Sequence, residues 1–232
     1  MKKLIALVAV SALALAACGT ASTTSDTAGI SVSGEGRVSG TPDLLTVTLG
    51  VAVIRPTVAQ ATAAATDAAN EVIAALKAAG IADADMATSN YSVWPQYDFN
   101  GETQRLVGYQ VQNTLTVKVR DLANSGSVID AATAAAGDNA VVQGVSLSID
   151  DTSPLVTQAR QAAWADAVAK AQQLADLAGV SLSDKAISIT ETYTPSVVAV
   201  DFGRADGAGE STPILPGMQE VAVTIQVTFA IG

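Results

Sequence analysis

Carboxylates are the reactive groups this 232-residue chain holds in quantity: 22 aspartates and glutamates against 12 lysines and arginines, with no histidine. Asp83 with Asp85, Asp150 beside Asp151, and Asp201 with Asp206 and Glu210 each bring hard oxygen donors close in sequence, the donor type that Ca²⁺ takes. None has the Asp-x-Asp-x-Asp-Gly spacing that shapes a coordinating loop. Solvated surface, or capping near Ser153, is the better reading of these groups, and neither a metal nor a cofactor is expected. Two carboxyls acting on a glycoside would have to face each other about 5–9.5 Å apart across a cleft, an arrangement that spacing along the chain does not specify. The lack of histidine removes Ser-His-Asp and Cys-His relays together with every histidine-containing metal centre. No Gly-x-Ser-x-Gly elbow occurs, so no catalytic residue is assigned.

Two other features carry chemistry of a different kind. Trp94, Tyr97 and Phe99, with Pro95, concentrate aromatic surface in a chain with only 4% aromatic residues. They suit a lip that grips a peptide or protein partner, or the packed end of a hairpin, which is the commoner use of such a cluster. Cys18 is the single cysteine and has no internal disulfide partner. Before it stand Lys2 and Lys3, then an apolar run from Leu4 to Ala17 that is shorter than the ~20 residues a bilayer-spanning helix needs. Leu15-Ala16-Ala17-Cys18 resembles the lipobox of bacterial lipoproteins. That resemblance implies cleavage before Cys18, a diacylglycerol on its thiol and acylation of the new amino group. Two or three acyl chains, at about 0.8 kcal/mol per buried CH₂, would hold the protein firmly on a membrane.

Removing the leader takes away Lys2 and Lys3, leaving 10 basic against 22 acidic residues, or −12. Such a surface repels phosphate backbones, and no nucleic-acid partner is expected. Residues 1–17 are thus the signal peptide, and residues 18–29 a small, polar, flexible tether. The folded domain occupies residues 30–232.

Strands and helices must position whatever that domain does. VGYQVQNTLTVKVR, Val107 to Arg120, alternates Val107, Tyr109, Val111, Leu115, Val117 and Val119 with polar residues, the period of a half-buried strand. Asn113 interrupts the apolar row and is expected to bond to a neighbouring strand or loop. Leu45, Val47, Leu49, Val51 and Val53 predict a second such strand, and Ile30 to Gly36 a short first one. Gly34-Glu35-Gly36 is only superficially a phosphate loop, since no helix follows it. Pro56 and Thr57 open a helix to about Ala79, with Ala61, Ala65, Ala68, Ala69, Val72, Leu76 and Ala79 on one face and Gly80 as its stop. Met86 to Trp94 predicts a strand closed by Pro95, and Asp98 to Glu102 a turn. Asp121 would cap a shorter helix ending near Ala136 or Gly137.

The second half repeats this order: a strand through Val141, Val145, Leu147 and Ile149, and a helix opened by Ser153 and Pro154 with Gly179 as its stop. Its inward stripe is expected to be Trp164, Ala167, Val168, Ala171, Leu174, Ala175 and Ala178. Strands from Ala186 to Thr194 and from Val221 to Ile231 follow. Two consecutive β-α-β-β pseudo-repeats, about 42–120 and 141–232, predict an α+β fold in which long Ala-rich helices cover one face of largely antiparallel sheet. The other face would carry Thr114, Thr116, Lys118, Thr224, Gln226 and Thr228.

Gly34-x-Gly36 with Pro42-Asp43, Gly80-Ile81 with Thr88, Trp94-Pro95-x-Tyr97, Gly108-Tyr109-x-x-x-Asn113 and Val117-x-Val119-x-Asp121-Leu122 together resemble the SIMPL-domain family. So does the run Ala159-Arg160-x-Ala162 continuing to Asp166-Ala167 and Lys170-Ala171. The resemblance implies a bacterial envelope protein of this fold, a tendency in some members toward ring- or channel-like oligomers, and loose links to oxidative-stress tolerance and immunogenicity. It supplies no catalytic residue. The acidic, glycine-rich loop from Val200 to Gly217 departs from the pattern. The expectation is a non-enzymatic, lipid-anchored envelope protein, attached through Cys18, that self-associates or binds a partner. The alternatives are a carboxylate-dependent hydrolase of envelope glycans or esters, and a solute-binding lipoprotein.

Overall fold

The computed structural model of the chain describes residues 29–99, 104–194 and 212–232. Cys18, and Asp201, Asp206 and Glu210 of the long loop, lie outside them. Among the described residues the order is β1 (Gly29–Gly40), β2 (Leu44–Arg55), α1 (Val58–Ala78), β3 (Met86–Asp98), β4 (Arg105–Val119), α2 (Ser125–Ala136), β5 (Ala140–Ser148), α3 (Ser153–Ala178), β6 (Leu182–Thr194) and β7 (Gln219–Ile231). All pairings are antiparallel, in two sheets: a four-stranded sheet in the order β3-β4-β2-β5 and a three-stranded sheet in the order β1-β7-β6. The α+β fold expected from the patterning is therefore present, with the sheet divided in two.

The division does not follow the sequence repeat. β5 opens the second β-α-β-β run, yet it pairs with β2 of the first. β1, which precedes both runs, takes the corresponding place beside β7. The two sheets then share one local arrangement, β3-β4-β2 and β6-β7-β1, each crossed by the long helix that precedes its first strand in the chain.

In the larger sheet the apolar parity of β2, Leu45, Val47, Leu49, Val51 and Val53, is buried as its alternation predicts. α1 covers it with Ala61, Ala65, Ala68, Ala69, Val72 and Leu76, and α2 adds Val128, Ile129 and Ala132. Thr57 caps α1, its hydroxyl oxygen accepting from the Gln60 N–H at 3.3 Å, and Gly80 ends it at φ +91°. Asp121 caps a single 3₁₀ turn, Leu122–Asn124, that leads into α2 rather than α2 itself. β3 does not stop at Pro95 but runs through it to Asp98. Proline is tolerated there because β3 is an edge strand, where a missing N–H leaves no ladder bond unmade.

Two expectations for β4 fail at one level of the sheet. Asn113 Oδ1 is buried without a hydrogen-bond partner, and Thr114, expected on the open face, is fully buried. The cause is close strand approach: a Cβ at Gly50, which pairs with Thr114, would lie 2.0 Å from the Asn113 carbonyl oxygen. The pairings of β2 with β5 and of β3 with β4 shift register at the same level, near Thr48 and Ser89. Ser89, the extra residue in β3, donates its hydroxyl to the Thr114 carbonyl at 3.3 Å.

In the smaller sheet α3 lies over β1 and β7 through Ala159, Ala163, Ala167, Ala171 and Ala175, all fully buried. This i, i+4 ridge replaces the expected stripe: Trp164 and Leu174 stay exposed. The ridge needs a strand without side chains. A Cβ at Gly36 would lie 1.9 Å from the Ala159 carbonyl oxygen, and one at Gly34 would lie 2.1 Å from that of Ala163. Gly34-x-Gly36 thus admits a helix backbone, not a phosphate. Trp164 leans over the β7 side, its ring centroid 5.6 Å from that of Phe229.

The two layers meet end to end, where β1 passes into β2. Asp43 accepts from the Asp150 N–H at 2.7 Å and donates its own N–H to the Ser148 carbonyl at 3.1 Å. Gln219 is buried and donates to the Leu147 carbonyl, while Ile214 packs against the larger core. No strand or helix of one sheet packs extensively on an element of the other.

Candidate functional site

β2 ends at Arg55, which pairs with Tyr109, so β3 and β4 continue past it as a two-stranded ribbon. α1 also begins at this level, and its first buried residues, Ala61 and Ala65, cover Val53 and Val111, with Tyr109 packed at the margin. The ribbon beyond has no third layer among the described residues. Alternation then places apolar groups on surfaces that nothing buries: Trp94 is 47% exposed, Tyr97 41% and Phe99 73%. Trp94 and Ile54 flank Gln110 on the face away from α1, with Gln96 donating its amide to Gln110 at 2.7 Å.

Of the three aromatics picked out in the sequence, Tyr97 and Phe99 lie where the chain of β3 runs on beyond the end of β2, and Trp94, level with Gln110 and Ile54, stands at the base of that projecting arm on the sheet's outer face. Sequence reasoning missed Leu106 and Val107, which are exposed on the arm, and Ile54 and Tyr91, which are exposed on the sheet beside it. Val107 was assigned to the buried row because its parity is right; it is exposed because the covering helix starts too late to reach it. The usable signal was length, since the β2 pattern ends well before those of β3 and β4 have been paired out.

Of the candidate carboxylates among the described residues, Asp83, Asp85 and Asp150 are drawn into ion pairs. Arg120 joins Asp85 at 3.1 Å and Asp150 at 2.5 Å beside a shallow cleft lined by Gly80, Ile81, Lys118, Asn124 and Val128. The hydrogen bonds it donates to Asp150 and then to Asp85 raise the titration of that guanidinium further above its ordinary range. Asp83 pairs with Lys77 at 2.7 Å, and Asp151 accepts from the Ser153 N–H at 2.9 Å. Among the described residues three carboxyls have displaced titrations, all downward. Asp151 is lowered by hydrogen bonds from Ser153, Asp166 by Lys170 and the Glu35 N–H, and Glu191 by Arg160. A general acid for hydrolysis needs the opposite, a carboxyl held protonated by its surroundings. The arrangement around Arg120 does structural work, clamping the Asp83–Asp85 turn, the end of β4 and the β5–α3 link together.

A sequence profile of the SIMPL family, described as a protein of unknown function (DUF541), matches residues 30–229. The 26 kDa periplasmic immunogenic protein of Brucella melitensis is 34% identical over 90% of this chain and 86% of its own length. The counterpart of that name in Brucella abortus is equally similar. The uncharacterized protein YggE of Escherichia coli K12 is 30% identical over 63% of this chain and 59% of its own. Profile and relatives agree across both sheets, and the chain belongs to the SIMPL family.

Proposed function

We propose that this protein is a non-enzymatic, lipid-anchored component of the bacterial cell envelope that self-associates, or holds a protein partner, through the β3–β4 arm. The observation that carries the reading is the exposed apolar surface of the arm and its base, Trp94, Tyr97 and Phe99 above all, where no layer among the described residues covers the strands. Burying one such side chain is worth about 1.5–3 kcal/mol, so the arm gains far more from a protein surface than from water. Aromatic side chains also bring large, stiff contact area at low entropic cost. The periplasmic naming of the Brucella relative supports an extracytoplasmic setting, and the lipobox-like run before Cys18 supports anchorage. A contribution to oxidative-stress tolerance would come from such a scaffold and not from thiol chemistry, the one thiol being the acylated one.

The test is the native mass of the detergent-extracted protein beside a Trp94→Ser/Tyr97→Ser/Phe99→Ser variant. The wild type is expected as a high-mass species and the variant as a monomer that keeps the far-ultraviolet circular dichroism of the wild type, because none of the three side chains belongs to a buried core cluster. A wild type that stays monomeric at micromolar concentration removes self-association.

A further inference from the structure

The chain leaves the smaller sheet at Gly29, and the lipid-bearing position proposed above, Cys18, lies eleven residues earlier. Eleven steps of chain reach at most about 40 Å, so whichever surface surrounds Gly29 is held within that distance of the bilayer. What surrounds it is one end of the smaller sheet. Gly29 pairs with Ala230, Leu182 pairs with Ile231, and the Gly232 N–H reaches the Ser181 carbonyl at 3.0 Å. α3 finishes at the same end, with the Val180 N–H bonded to the Ala175 carbonyl.

This end is apolar where it is bare. On α3, Asp166 and Lys170 lie along the outer edge of β1, and Leu174 continues that row one turn nearer Gly29. Leu177, three residues on, is 85% exposed, the barest large apolar side chain among the described residues. On the opposite face of the sheet the exposed Ile187 stands beside Gly29, its Cδ1 3.2 Å from where a Cβ there would be. Among the described residues none covers these three side chains.

We infer that this end of the smaller sheet is a membrane-contact surface, with Leu174, Leu177 and Ile187 seated in the interface of the bilayer that carries the Cys18 lipid. The inference rests on the anchor proposed above. An acylated tether keeps the end at the bilayer and the three side chains then enter the interface, which orients β1 away from the membrane and carries the larger sheet outward. Asp176, Asp184 and Lys185 also lie on the last turns of α3 and the start of β6 here, with no excess of positive charge, so the contact is apolar in origin and should not need anionic lipid.

Tryptophan quenching reads the geometry directly. The mature chain starting at Cys18 is coupled through that thiol to a maleimide lipid in phosphatidylcholine vesicles doped with a nitroxide lipid, which supplies the anchor whatever the cell does. In a Trp94→Phe/Trp164→Phe background, Leu177→Trp is expected to lose roughly half of its emission, its ring lying within the ~5–10 Å depth of interfacial insertion. Trp94, left alone by Trp164→Phe, is expected to lose almost none. Unquenched emission at position 177, or stronger quenching at Trp94, overturns the inference. Failure of the anchor itself shows separately, as absence of palmitate label from the cellular protein.

Discussion

Gly36 shows how much a single missing side chain can decide. In the sequence Gly34 and Gly36 are two small residues in a polar stretch; in the fold they let the backbone of α3 come within contact of β1. A Cβ at Gly36 would fall 1.9 Å from the Ala159 carbonyl and 2.5 Å from the Ala163 nitrogen, so the helix has to move to admit one. Overpacking of this kind typically costs about 1–3 kcal/mol, and with backbone as the obstacle Gly36→Ala belongs at the upper end. A fall in the urea midpoint with an unchanged denaturant slope checks it; an unaltered midpoint would mean that α3 is free to slide. Asn113 is the opposite case, a residue whose need was legible and went unmet. Its Oδ1 lies buried without a partner, at a cost of roughly 1–3 kcal/mol, because the close approach of β2 at Gly50 leaves no donor in reach.

At the scale of elements, α3 does two jobs at once. It covers the face of the smaller sheet with its alanine ridge and seals the outer edge of β1: Asp166 accepts the Glu35 N–H at 2.8 Å, and Lys170 donates to the Ser33 carbonyl at 3.1 Å and to Asp166 at 2.6 Å. An edge strand with its backbone groups occupied is a poor template for aggregation. The Asp166 carboxyl titrates below its ordinary range, first because of Lys170 and then because of the Glu35 N–H. The folded state therefore binds its proton less readily than the unfolded chain does. The stabilisation is complete above the unfolded value of about 3.9 and is lost as pH falls through the lower folded value. Thermal midpoints measured from pH 6 down to pH 2.5 should drop in this window, and Asp166→Asn should start lower and drop less. An identical acid profile in the variant would place the linkage on other carboxyls.

These examples mark where patterning stopped being informative. Alternation located β2, β4 and β7, and the buried parity of β2 and β7 emerged as read, because period-2 spacing is set by the strand itself; in β4 it held for Val111, Leu115, Val117 and Val119 but not for Val107 or Thr114. The α3 stripe was read from side-chain size, with Trp164 and Leu174 drawn inward. The helix buried its smallest side chains instead, since a glycine strand offers close approach rather than volume. The aromatic arm was legible as a cluster. Its exposure was not, because that depends on where β2 and α1 end relative to β3 and β4.

Over the whole molecule, the exchange of β1 and β5 between the halves links sheets that hold separate cores. A fragment cut at the sequence repeat, residues 141–232, would keep α3, β6 and β7 but leave Ala159 and Ala163 facing no strand. It is expected to be largely unfolded by circular dichroism, and a peptide of residues 29–41 added in trans should restore structure. Folding of the fragment without the peptide would show that β1 is dispensable to the smaller sheet.

By itself the sequence determined the helices and most strands, the buried parities, the family resemblance and the lack of histidine-based chemistry, all of which follow from local periodicity and composition. Only the tertiary structure decided which strand completes which sheet, which carboxylates meet at Arg120, and which apolar groups remain in water. Those outcomes depend on contacts between residues far apart in the chain, where pairing geometry and the reach of a covering helix, not the pattern within any one segment, set the result.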